Sequence, residues 1–340
     1  MTGVKEDRST MVEATAFDNL RQIYSGYCVS RAVHVVADLG VADALGDSPR
    51  TAAELAESVK ANPDALGRIL RLLSSHGVFQ AEGDKYGHSP ASRLLRSDSP
   101  QSVRALARMF GLSMNWSAYG AMAHTIRTGR PATEKTLPEG TWSYFGTHPE
   151  ESAIFNAAMA AKAAHQIAAI VPAYGFSQFK RIGDIGGGRG HLLQAVLQSA
   201  PKANGVLFDL PHVVADAKGI ATNRLSLQAG DFFKDALPEC DAYLVMEVIH
   251  DWADPESTAI LGAVRRAAPA NATLLLLEEI VPDDPGPHWS KILDIYMLTL
   301  LGGRQRTLRE YEALLRGAGF ALKREIETIA GISIIEAKAS

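Results

Sequence analysis

The sequence predicts an α/β protein: an open, doubly wound, mostly parallel sheet in its second half, preceded by a mainly helical, winged-helix-like domain. Three observations carry this. Arg181–Gly190 reads RIGDIGGGRG, an apolar run closed by Asp184 and three consecutive glycines, and HLLQAVLQSAP follows with apolar residues at helical spacing. Strand, glycine turn and helix in that order present the first strand end of such a sheet to a ligand. Short apolar runs then alternate with helical patterns to the C-terminus, whereas the first hundred residues show helix signals and one small hairpin.

Along the chain, Arg31–Leu45 is amphipathic and is broken from Gly46 to Arg50. Thr51-Ala52-Ala53-Glu54 has the form of a capping box. Asn62-Pro63-Asp64 opens a further helix that ends at Gly77. Val78-Phe79-Gln80, a Gly83-Asp84 turn and Tyr86-Gly87-His88 make a hairpin or wing. This outline brings DNA binding into question, but residues 1–100 hold 11 Lys and Arg against 13 Asp and Glu, the opposite of a basic DNA-binding face. Residues 101–175 are again helical, with Met109, Phe110, Trp116, Tyr119 and Phe155 scattered among them. Any one of these is a core residue; together they suit the wall of a flat, apolar pocket. The expected division is therefore 1–100, a winged-helix-like domain; 101–175, a helical linker and pocket region; and 176–340, the α/β domain.

The glycine loop selects among ligands. With Gly186 and Gly188 as the first pair of a G-x-G-x-x-G dinucleotide fingerprint, the third glycine falls on His191; no Gly-Lys-Ser/Thr follows for a P-loop. An acid before G-x-G instead resembles the S-adenosylmethionine (SAM) loop of class I methyltransferases. Val206–Asp209 is a second strand ending in a carboxylate, placed to accept from ribose hydroxyls. Leu225–Ala229 leads into Gly230-Asp231-Phe232, an acid and an aromatic ring suited to an adenine. DAYLVMEVIHDW delivers His250, Asp251 and Trp252 from a fourth strand, and LLLLEEIVP carries Glu278 and Glu279 on a fifth. Five strand ends with polar groups are expected to converge on one crevice.

At 340 residues the chain is long enough for two domains, and its 46% hydrophobic and 21% charged residues are ordinary for a globular protein. A net charge of −4 gives no general attraction to nucleic acid or anionic membranes. No apolar run reaches the ~20 residues of a membrane span, and the N-terminal MTGVKEDRSTMVEA is polar. Cys28 and Cys240 share no motif spacing. A cytoplasmic location without membrane or nucleic-acid partners is the expectation.

The segments DIGGGRG, FDLPHV, GDFF, VIHDWAD, LEEIVPD, LDIYMLTLLGGRQRT and YEALLRGAGF, in this order, closely resemble the small-molecule O-methyltransferases of the caffeate/hydroxyindole type. LGVADAL, LAESV and LGRILRLLSSHGVF resemble that family's dimerisation domain. The resemblance implies a class I methyltransferase fold with a seven-stranded sheet, SAM as cofactor, no metal, an aromatic small-molecule acceptor and a homodimer. It places the SAM site on Asp184, Gly186, Gly188, Gly190, Asp209, Leu210, Gly230, Asp231, Phe232 and Met246. It makes His250 the proton acceptor, with Asp251 and Glu278 as catalytic partners, and places the acceptor pocket on Asn156, Met159, Asp294, Met297 and Gln305. Two positions depart from the pattern: the second histidine-flanking glutamate is Gln305, and the lysine of plant members is Met246.

SAM carries an already electrophilic methyl group, so the protein's task is to align an oxygen nucleophile and take its proton. A phenol with pKa about 10 is protonated at neutral pH, and a histidine in contact with it serves as base. Glu278 fixes the tautomer; Gln305 in place of a carboxylate predicts a comparatively low pKa for His250. Three alternatives stay open: a relative of this fold that decarboxylates or hydroxylates, a SAM-sensing winged-helix regulator, and methylation at nitrogen or carboxylate.

Overall fold

The computed structural model describes the backbone of residues 3–340 and the side chains from Thr15 onward, Trp142 excepted. The side chains of the polar stretch expected at residues 1–14 lie outside the described residues. The chain forms two compact units, Met1–Ser113 with Pro149–Ala161, and Met114–His148 with Lys162–Ser340.

In the first unit the helix expected at Arg31–Leu45 spans Gly3–Leu39 and is interrupted at Gly40, whose φ of 71° breaks it before Val41–Leu45. Thr51 caps the helix Ala52–Val59 with Glu54 reaching back to its amide, the capping box foreseen. Asn62 caps Pro63–Ser75, which buries Leu66, Leu70 and Leu73 at spacings of four and three. The hairpin gains a third member: β1 (Arg50–Thr51), β2 (Phe79–Glu82) and β3 (Lys85–His88) run in the order β1-β3-β2. Val36, Val41, Leu45, Leu55, Leu70 and Phe79 form this unit's core.

The second unit carries the seven-stranded sheet: β4 (Arg181–Ile185), β5 (Asn204–Asp209), β6 (Leu225–Ala229), β7 (Ala242–Met246), β8 (Thr273–Glu279), β9 (Phe320–Glu327) and β10 (Ile332–Ala339), in the order β6-β5-β4-β7-β8-β10-β9. The first five in that order are parallel, and β10 is antiparallel to both neighbours. All seven residues of β8 are buried, which explains its unbroken leucine run: a strand covered on both faces has no polar side. The class I methyltransferase sheet is thus present. Chain order runs outward from β4 to β6 and then returns to β7, so the switch point lies between the carboxyl ends of β4 and β7, where α/β sheets bind ligands.

Helix Pro149–Ala173 is, by length and composition, apolar enough to cross a membrane, although no such run stood out in the sequence. Its Ile170 packs on Phe176, Ile182 and Leu193 in a core of the second unit, and Lys162 within it is paired with Glu247.

Candidate active site

The glycine loop leaves β4 one residue after Asp184, whose carboxylate is fully buried, with the Leu193 backbone N–H the one group that pulls its pKa down. Burial, reinforced by the nearby Asp209, pushes its pKa up to about 7. Gly187 lies directly over it: a Cβ there would sit 2.4 Å from the carboxylate and 2.6 Å from Leu207 Cδ1. At Gly188, φ is 59° and nothing lies within 4 Å of a Cβ position, so the backbone is open to a ligand.

Asp209 ends β5. Its Oδ2 accepts from Gly188 N at 2.8 Å and its Oδ1 from Leu210 N at 2.7 Å, which fixes the carboxylate beside the loop. Burial raises its pKa against the pull of these two bonds. Leu210 stays 42% exposed on the rim. Past β6, Gly230 lets the chain pass Phe208, whose ring a Cβ would meet at 2.7 Å. Asp231 accepts from Phe233 N and pairs with Lys234, which lowers its pKa. The Phe232 ring lies 4.8 Å from Phe233 and 6.2 Å from Trp252, edge to face, making an aromatic wall near Gly186. Met246, the last residue of β7, is half-buried against the core.

His250 stands on a short turn, Ile249–Asp251, after β7 and is buried. Glu278 of β8 holds it twice: Oε1 accepts from Ile249 N at 2.9 Å and His250 N at 3.3 Å, while Oε2 stands 3.1 Å from His250 Nδ1. Gln305 Nε2 reaches the same Nδ1 at 2.9 Å, and Asp251 Oδ1 is 3.4 Å from Nε2. Gln305, read both as a pocket residue and as standing at the second histidine-flanking position, is a direct histidine neighbour. Its Oε1 has no partner where it stands; turning the amide presents that oxygen to a protonated Nδ1.

The expectation for Gln305 is comparative, a lower histidine pKa than a carboxylate in its place would give, and the ring stands above the ordinary histidine range all the same. Burial alone lowers it, but the Glu278 carboxylate, with Asp251 and Glu247 adding to it, overrides that and pushes His250 up to about 9. One fully buried carboxylate against the ring is enough without the second. Asp251 is pushed up to about 6 by burial, opposed by the histidine.

Of the expected pocket residues, Asp294 accepts from Gln305 N at 2.9 Å and so anchors the 305 segment. Met297 is buried on the same helix, Trp289–Leu300. Asn156 and Met159 lie on Pro149–Ala173 in the stretch that belongs to the first unit.

Two features escaped the sequence reading. Arg306 is almost wholly buried and donates to the carbonyls of Ile249, Trp252 and Arg304, to Asp254 and to Ser257, pinning the His250 turn from beneath. A basic residue inside an apolar-flanked RQRT segment was the available signal. The second is a polar cluster: Lys162 Nζ lies 2.5 Å from Glu247 Oε1, Gln166 Nε2 lies 3.1 Å from that oxygen, and Glu279 Oε1 is 3.9 Å from Lys162. Nothing in the pattern of helix Pro149–Ala173 told Lys162 from a solvated lysine.

Residues 119–321 match the model of an O-methyltransferase domain, and residues 21–98 that of an O-methyltransferase dimerisation domain. The chain belongs to the SAM-dependent O-methyltransferase family. It is 40% identical to a phenazine O-methyltransferase, PhzM, of Lysobacter antibioticus over 325 residues, 94% of this chain and 95% of that one. It is 35% identical to an 8-amino-8-demethylriboflavin N,N-dimethyltransferase of Streptomyces davaonensis, over 91% of each chain. Among solved structures it resembles CalO1, a methyltransferase in calicheamicin biosynthesis in its SAH-bound form, with a TM-score of 0.87, 33% identity and coverage of 96% and 99%. The protein is a SAM-dependent methyltransferase of the kind used in secondary metabolism.

Proposed function

We propose that this methyltransferase transfers the methyl group of SAM to a hydroxyl of an aromatic small molecule, with His250 as the base, and that it works as a homodimer through residues 21–98. The single observation that supports this best is His250, buried on the turn that follows β7 and gripped through Nδ1 by Glu278 and Gln305. That grip leaves Nε2 as the nitrogen for an acceptor.

The residues fit SAM. Asp209, fixed beside Gly188, keeps lone pairs for ribose hydroxyls, while Asp231 and Phe232 flank an adenine position and Leu210 supplies apolar cover. Bound SAM supplies a sulfonium-activated methyl group. The protein then positions the acceptor oxygen, His250 Nε2 accepts its proton, and Glu278 stabilises the resulting imidazolium through Nδ1. Asp251, 3.4 Å from Nε2, orients the acceptor hydroxyl. Asp294 and Met297 belong to the acceptor's surroundings in this reading.

An N-methylating relative gives a second reading, in which a ring nitrogen or amine replaces the hydroxyl and needs the base less. Incubation with labelled SAM and matched pairs of hydroxy- and amino-aromatics, with the methylated atom located by NMR, tests both. Methylation of hydroxyls, lost in His250→Ala, supports the proposal; methylation of amines alone overturns it.

A further inference from the structure

The chain between helix Trp289–Leu300 and helix Leu308–Gly317 runs along the turn that carries His250 and touches it at successive residues. Its closest approach is at Gly303. A Cβ there would sit 2.2 Å from the His250 carbonyl oxygen, 2.9 Å from the Asp251 carbonyl carbon and 3.0 Å from Asp251 Cα. All three are backbone atoms, so no side-chain rotation relieves the overlap, and only glycine fits. The next amide, Arg304 N, donates to the same His250 carbonyl at 2.7 Å. Gln305 then meets the ring, and Arg306 takes the carbonyls of Ile249 and Trp252.

The segment is also fastened on its other sides. Gly302 N donates to Met297 O and Asp294 accepts from Gln305 N, which ties it to helix Trp289–Leu300. Arg306 bridges Ile280, and its carbonyl accepts from Val281 N, which ties it to the chain just past β8, the strand of Glu278. With these bonds in place the segment has little room to recede from the turn. Gly302 is a glycine for a different reason. Its φ is 77°, and a Cβ there would meet only the Pro131 ring, at 3.4 Å. One glycine serves backbone conformation and its neighbour close approach.

We propose that Gly303 is a positioning residue for the base: by letting the 302–306 backbone lie directly on His250 and Asp251, it sets where the imidazole stands between Glu278 and the acceptor. It acts through the backbone of the turn, whereas Glu278 and Gln305 act through the ring. A methyl group at position 303 displaces the turn by roughly 1 Å, a shift that costs about 10²-fold in a well-aligned reaction. The 3.1 Å contact between Nδ1 and Glu278 is disturbed with it, so the carboxylate favours the charged ring less. The consequence for turnover rests on His250 being the base, as proposed above; the consequence for the ring does not.

The test compares Gly303→Ala and Gly302→Ala with wild type in kcat, in S-adenosylhomocysteine affinity and in the titration of the His250 ring. NMR of histidine-labelled protein reads the ring, its signal assigned by its absence from His250→Ala. Gly303→Ala is expected to lower kcat by about tenfold to 10²-fold, to leave S-adenosylhomocysteine affinity within about twofold, and to move the His250 titration down from its raised position. Gly302→Ala is expected to lower Tm, because alanine resists a positive φ, and to leave that titration where it is. An unmoved titration in Gly303→Ala, or the same movement in Gly302→Ala, overturns the proposal. A His250→Ala protein that keeps its turnover strikes the base reading alone. Wild type gives an arm free of folding effects: the Arg304 amide exchanges with solvent as slowly as the amides of β7 and β8 if the segment is clamped on the turn. Exchange at the rate of an exposed loop overturns the proposal as well.

Discussion

Gln305 and Glu278 meet the same ring nitrogen of His250, at 2.9 and 3.1 Å. One flank is a neutral amide and the other a carboxylate. The amide can donate or accept, so it adapts to either charge state of the ring, whereas Glu278 favours the charged one.

The pH–rate profile follows from this. With His250 pushed up to about 9, the imidazolium prevails at pH 7 and cannot accept a proton. The acidic limb of kcat/KM should therefore lie well above the usual histidine range, with activity rising towards about pH 9. Glu278→Gln removes the cause of the rise, leaves burial in control and should move the limb down. Gln305→Glu should move it up. Profiles of the three proteins on one phenolic acceptor check this; a limb that stays put in both variants means neither residue is coupled to the base.

His250→Ala should lower turnover by roughly 10²- to 10⁴-fold, the range for a lost general base. SAM affinity should barely change. Turnover within threefold of wild type on an acceptor of pKa about 10 would show that the proton leaves by another route.

Asp209→Ala should weaken SAM by about 2–4 kcal/mol, as two charge-assisted bonds to ribose are lost. Calorimetry with an intact near-ultraviolet dichroism spectrum measures it.

Arg306→Lys should lower both Tm and kcat. A lysine cannot reach the three carbonyls, Asp254 and Ser257 that the guanidinium satisfies at once. The cost expected from buried unpaired acceptors is about 2–4 kcal/mol, read from denaturant unfolding. An unchanged midpoint would mean that the turn holds itself.

Much of the fold was legible because its signals are local. DIGGGRG, the Thr51 box and the leucine run of β8 each encode one backbone event within a few residues. The extension of the first helix back to Gly3, where the amphipathic pattern is weak, was not legible, nor was the two-residue β1. Within the candidate site, His250 and Glu278 were expected together and are found together. The raised pKa of His250 was not legible, because it depends on the complete burial of Glu278 against the ring, which only packing reveals. Lys162 and Arg306 matter through partners 85 and about 50 residues away, a separation no spacing rule covers.

The contact between Gly186 and Val248 has a mechanical consequence. The loop that cradles the donor and the turn that carries the base are packed against each other, with no room at Gly186 even for a methyl group. Neither can shift by more than a few tenths of an ångström without the other responding. In the proposed reading, a shift of the loop on binding would therefore be passed to the turn that carries His250.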